Sequence, residues 1–146
     1  MERRNFIKSS CNICMLAAAG YFLPKLEGCS PATYAVFKTD IVDKKITIPL
    51  AMFATSPIQF VRPKGWYYDI AVQKRDENNY TALLLQCTHQ ENQLIPAGNN
   101  GYSCSLHGSQ FDVNGIVRKG PAEKRLEQYT TKIQDNNLVI EILKTP

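Results

Sequence analysis

Two short motifs in this chain carry the residue types that bind transition metals. Cys87-Thr88-His89 supplies a thiol and an imidazole, and Cys104-Ser105-Leu106-His107 supplies one more of each. Fourteen residues lie between them, and the chain has two histidines in all, both of them here. Thiolate and imidazole are ligands that zinc and iron–sulfur centres share. A structural zinc site usually places its paired ligands on a hairpin and a helix. Here each pair runs into turn-forming sequence, with Gly108-Ser109 directly after the second. A site built from loops must be oriented by more regular elements on either side.

Those elements read as strands. Residues 34–38, 45–49, 58–62, 67–73 and 80–86 are short runs rich in β-branched and aromatic side chains. Asp76-Glu77-Asn78-Asn79 is a polar turn that predicts a hairpin between the last two. Further runs follow at 115–118, 125–130, 131–134 and 138–143, with Asp135-Asn136-Asn137 as the final hairpin turn. No long helical periodicity is visible after the N-terminal segment. The body is expected to be all-β, an antiparallel sandwich, with Trp66 and Tyr68 as core or edge aromatics. Between Gln86 and Pro121 the character changes. Gly98, Gly101, Gly108, Gly115 and Gly120 crowd into this stretch. A loop-rich metal-binding subdomain over about 86–122 is expected, held together by the metal.

The totals narrow the function classes. With 146 residues the chain can bury one core of useful size. It has 17 Lys+Arg against 13 Asp+Glu, and the basic pairs are scattered, so no nucleic-acid footprint is present. Of the five cysteines, Cys11, Cys14 and Cys29 are N-terminal, which leaves Cys87 and Cys104 in the body. A disulfide in the body would consume the two metal candidates, so the fold is not expected to be disulfide-stapled.

The N-terminus reads as an export address. Arg3-Arg4-Asn5-Phe6-Ile7-Lys8 matches the twin-arginine pattern. The apolar stretch 13–23 has 11 residues, short of the ~20 that a spanning helix needs, and fits a signal-peptide core. Leu26-Glu27-Gly28-Cys29 resembles a lipoprotein box in which Cys29 would be acylated. Residues 1–29 are therefore expected to be a signal or an anchor helix, and residues 30–146 the functional domain. Acylation at Cys29, a retained helical anchor and release as a soluble protein are the alternatives. Twin-arginine export moves folded proteins, which suits a chain that must acquire its metal before crossing.

The site motifs, taken with their surroundings, resemble the Rieske iron–sulfur family. His107-Gly108-Ser109-Gln110-Phe111-Asp112 is similar to the second Rieske box, and Gly120-Pro121-Ala122 to the proline loop over the cluster. The run from Asp112 to Ala122 resembles the Rieske subunits of cytochrome bc complexes, and the likeness extends over about 67–143. It implies a Rieske-type β-sandwich and a 2Fe–2S cluster, with Cys87 and Cys104 on the inner iron and His89 and His107 on the outer, reducible one. It further implies a hydrogen bond from Ser109 to a bridging sulfide.

The sequence departs from quinol-oxidising members of the family at three positions. Asn92 and Leu106 stand where those proteins have a pair of disulfide cysteines, and Phe111 stands where they have a tyrosine that bonds a cysteine sulfur. Loss of that donor predicts a potential in the lower to middle part of the Rieske range, roughly −150 to +300 mV. Both histidines are committed to the cluster and no length remains for a mononuclear iron domain, so hydroxylation by this chain alone is excluded. No catalytic site of its own is expected. The resemblance points to a membrane-attached electron carrier outside the cytoplasmic membrane, working with cytochrome b or c type subunits, with quinol as a candidate partner. A small subunit beside the large subunit of an exported oxidase, such as arsenite oxidase, is an alternative, and a non-redox zinc-binding envelope module is another.

Overall fold

The computed structural model describes residues 34–98 and 101–146. The twin-arginine pattern, Cys11, Cys14 and the Cys29 box lie outside the described residues. The described part contains β1 (Val36–Thr39), β2 (Lys45–Pro49), β3 (Ile58–Pro63), β4 (Ile70–Lys74), β5 (Tyr80–Leu84) and β6 (Leu94–Ala97). It continues with β7 (Gly101–Cys104), β8 (Gln110–Phe111), β9 (Val117–Lys119), β10 (Gln128–Gln134) and β11 (Asn137–Glu141). A short 3-10 turn at Leu50–Ala54 follows β2. Among the described residues no helix is long and apolar enough to cross a membrane.

The strands form a seven-stranded sheet in the order β1-β3-β4-β5-β10-β11-β2 and a four-stranded sheet in the order β6-β7-β8-β9. The all-β expectation is met. Ile46 and Ile48 of β2, at one edge of the large sheet, share one core with Val61 of β3 and Ile70 of β4 toward the other edge. Each of these side chains is fully buried, and such burial stabilises by about 1.5–3 kcal/mol apiece.

The β4–β5 hairpin joins this base to the metal region. Successive strand residues point to opposite faces. Ile70, Val72, Ala82 and Leu84 face the first core, while Ala71, Leu83 and Leu85 face a second. The unbroken run Leu83-Leu84-Leu85, at the end of β5, is thus covered on both sides. The second core continues through Leu94, Tyr102, Phe111, Ala122 and Leu126, and includes Cys87 and Cys104. The stretch expected to be loop-rich carries, besides β9 where the run at 115–118 was expected, three further short strands and apolar packing of its own.

Three details differ from the sequence expectation. β1 pairs with β3 in parallel, because β2 intervenes in the chain and crosses to the far edge of the sheet. β4 begins at Ile70, later than residue 67, because the chain turns at Gly65 (φ +83°) and Trp66 N–H bonds Pro63 O at 3.0 Å. The runs at 125–130 and 131–134 merge into β10, which pairs with β5 through Gln128 and Tyr129 and with β11 from Thr130 onward. The turn at Asp135-Asn136 closes β10 and β11 with φ of +48° and +60°, the left-handed pair that a tight hairpin requires.

Candidate metal centre

The β6–β7 register brings the two motifs together. Leu94 lies opposite Cys104, so the loop entering β6 sits beside the loop leaving β7. Gln86 bridges Gln93 at the base of the first loop. Cys87 and His89 belong to that loop, and Cys104 and His107 to the second.

The two loops are built alike. In the first, Cys87 N–H donates to Asn92 O at 2.8 Å and Glu91 N–H donates to Cys87 O at 2.9 Å. In the second, Cys104 N–H donates to Ser109 O at 2.8 Å and Gly108 N–H donates to Cys104 O at 3.0 Å. The fourth residue after each cysteine takes a positive φ, +47° at Glu91 and +76° at Gly108. Asn92 and Ser109 therefore occupy equivalent places, each the fifth residue after its cysteine.

The four ligand candidates separate into two pairs. The thiols of Cys87 and Cys104 are buried and free. The imidazoles of His89 and His107 are exposed, with ring centroids 5.0 Å apart and planes at 86°. Among the described residues no three His, Cys, Asp or Glu side chains converge as one metal ion would need. Two buried sulfurs and two exposed imidazoles are a donor set that would suit a centre with more than one metal atom.

The polar atoms around the thiols are set for a negative group. Burial pushes the Cys104 thiol up, but N–H donors from His107 and Leu106, the Asn92 amide and the Cys87 thiol outweigh it and hold the group below the ordinary thiol range. Ser109 is fully buried, and its Oγ accepts the Ala122 N–H at 3.0 Å. Its hydroxyl proton has no acceptor among the described residues, and a buried donor left unpaired is costly. A sulfide beside it would satisfy that donor, so the residues present fit an iron–sulfur group. The 120–124 segment clamps both loops, since Thr88 Oγ1 also donates to Lys124 O at 2.6 Å.

A buried polar network fixes the first loop to the base, and this the sequence reading missed. Asp69 is fully buried and accepts from Arg62 (Nε 2.5 Å, Nη2 3.0 Å) and from Tyr34 Oη (2.6 Å). Gln93 accepts the Asp69 N–H at 3.1 Å and donates to Leu94 O at 2.7 Å. Tyr68 Oη donates to Glu91 O at 2.6 Å. No spacing signal links Tyr34, Arg62, Asp69 and Gln93, which meet only through sheet register. Phe111 is buried in the second core opposite Tyr102, while Trp66 and Tyr68, expected as core or edge aromatics, pack partly buried against the first.

A model of the Rieske [2Fe-2S] domain matches residues 50–130. The chain belongs to the Rieske family. It carries a Rieske-type 2Fe–2S cluster and is an electron-transfer protein. The cytochrome b6-f complex iron-sulfur subunit of Synechococcus sp. (strain JA-3-3Ab) is 30% identical over 123 residues, covering 81% of this chain and 69% of that one. The Rieske subunit of the mitochondrial cytochrome b-c1 complex of Aotus azarae is 36% identical over 77 residues, 50% of this chain and 27% of that one. The shared Rieske region is thus a minor part of the mitochondrial subunit. In fold, the chain is similar to the cyanobacterial plasma membrane Rieske protein PetC3 from Synechocystis PCC 6803, with a TM-score of 0.55 and 23% identity over 66% of this chain and 98% of that one.

Proposed function

We propose that Cys87 and Cys104 hold the inner iron and His89 and His107 the outer one. On this reading the chain is an exported, membrane-attached electron carrier of a respiratory oxidoreductase resembling quinol–cytochrome c reductase. The cluster supplies one-electron chemistry when bound, and neutral imidazole in place of thiolate raises its potential. The buried Cys87 and Cys104 would hold the cluster away from water, and the Ser109 hydroxyl would supply a hydrogen-bond donor to it. His89 and His107 present the other side to a partner. The observation that carries this reading is the exposed imidazole pair above the buried thiol pair. Relatives named as subunits of cytochrome b6-f and b-c1 complexes support cytochrome b or c type partners.

Arg3-Arg4 supports export by the twin-arginine route, and Cys29 or the apolar stretch before it supports attachment to the membrane. Replacing Arg3 and Arg4 together by lysine is expected to leave the cluster-loaded protein in the cytoplasm and to deplete it from the outer face of the membrane. An unchanged distribution would refute the export reading. Purification of the native protein from membranes is expected to retain a haem-bearing cytochrome subunit. Retention of a large oxidase subunit without cytochrome would shift the assignment to the exported-oxidase alternative.

A further inference from the structure

We infer that Asn92 is a potential-setting residue of the cluster, acting through the sulfur of Cys104 in the opposite loop. Its amide Nδ2 lies 3.7 Å from Cys104 Sγ. The same Nδ2 lies 3.3 Å from Gln93 O, which orients the amide. Asn92 is half-buried, so water does not replace this donor freely.

The construction of the loops supports a tuning role. Asn92 is the counterpart of Ser109, because the backbone bonds from Cys87 to Asn92 and from Cys104 to Ser109 repeat one pattern. Each loop thus places a polar side chain five residues after its own cysteine, Asn92 against Cys104 Sγ and Ser109 accepting from the Ala122 N–H. The backbone of Asn92 is fixed by the Cys87 N–H, and its side chain reaches the thiol of the other motif. One residue therefore couples both cysteine ligands without a covalent bridge.

The energetic direction follows from charge. Reduction adds negative charge to the site, and an N–H donor on a ligand sulfur stabilises the more negative state. Asn92 therefore raises the potential and offsets part of the loss caused by phenylalanine at position 111. This inference rests on the ligand set proposed above, and the test separates the two.

The full-length holoprotein and its Asn92→Leu and Asn92→Gln variants are compared by protein-film voltammetry, after EPR of each reduced sample has established the cluster. Asn92→Leu should lower the midpoint potential by the equivalent of roughly a tenfold change in the reduction equilibrium, about 59 mV for one electron. Asn92→Gln, which keeps an amide, should recover part of that fall. A loaded Asn92→Leu protein with the wild-type potential would overturn the inference. Should Asn92→Leu fail to load, pulsed EPR of reduced wild-type protein labelled with 15N in the asparagine side-chain amide decides. A weak 15N coupling transmitted through the sulfur is expected, and its absence overturns the inference. A wild-type protein without a Rieske EPR signal would instead refute the ligand set.

Discussion

At the scale of single residues, the site is a set of atoms whose bonding is complete only with a cluster in place. Ser109 shows this most directly, with an Oγ that accepts from Ala122 and a buried proton left to give. Ser109→Ala is expected to lower the midpoint potential by roughly one decade in the reduction equilibrium, about 59 mV. An unchanged potential would mean that the hydroxyl does not touch the cluster. Glu91 offers a test of loop geometry alone. It holds the left-handed φ that glycine holds at 108, and such a conformation costs a non-glycine residue roughly 1–2 kcal/mol. Glu91→Gly should recover on the order of 1 kcal/mol less the added unfolded-state entropy of glycine, seen as a higher denaturant midpoint. The four candidate ligands stood out in the sequence because metal chemistry restricts residue type. Asn92 was legible only as a missing cysteine, since nothing in a linear sequence says which atom its amide reaches.

At the scale of elements, the β4–β5 hairpin does most of the positioning. Its alternating side chains close one core and open another, and β5 leads directly to Cys87. Gly115 sits where the turn between β8 and β9 meets this hairpin. Its φ is +74°, and a Cβ there would lie 3.0 Å from Leu126 Cβ and 3.3 Å from Leu83 Cδ2. Gly115→Ala combines backbone strain with overpacking and should destabilise by about 2–4 kcal/mol. A denaturant midpoint equal to that of the wild type would contradict the packing described. The hairpins at 76–79 and 135–137 were readable from turn chemistry, because the turn residues are local. The parallel β1–β3 pair and the partner switch within β10 were not, because both depend on strands distant in sequence. The strands β6, β7 and β8 were not read from the sequence, whereas the run at 115–118 marked β9; glycine and asparagine around them have low β-propensity, which packing on Leu83 and Leu85 overrides.

At the scale of the whole molecule, two cores and a buried polar network make a rigid base that presents one metal-binding end. Burial also sets the alkaline limit of stability. It pushes Tyr102 up to about 12, and pushes Tyr129 up to about 12 with help from the Glu127 carboxylate. Tyr34 is raised further, by burial and then by its bond to Asp69. The ordinary phenol value is about 10. Because the folded values lie above the unfolded one, this stability is fully present below about pH 10 and is lost as pH rises through the folded values. Denaturant midpoints should therefore fall between about pH 10 and 12, and Tyr102→Phe should flatten the fall. An unaltered slope in that variant would contradict the assignment. The central claim is that Cys87, His89, Cys104 and His107 together hold a Rieske cluster. The most direct test is metal analysis with EPR on anaerobically purified, reduced protein. Equal iron and acid-labile sulfide, with a signal whose average g lies below the free-electron value, is the predicted result, and a colourless protein containing zinc would contradict it.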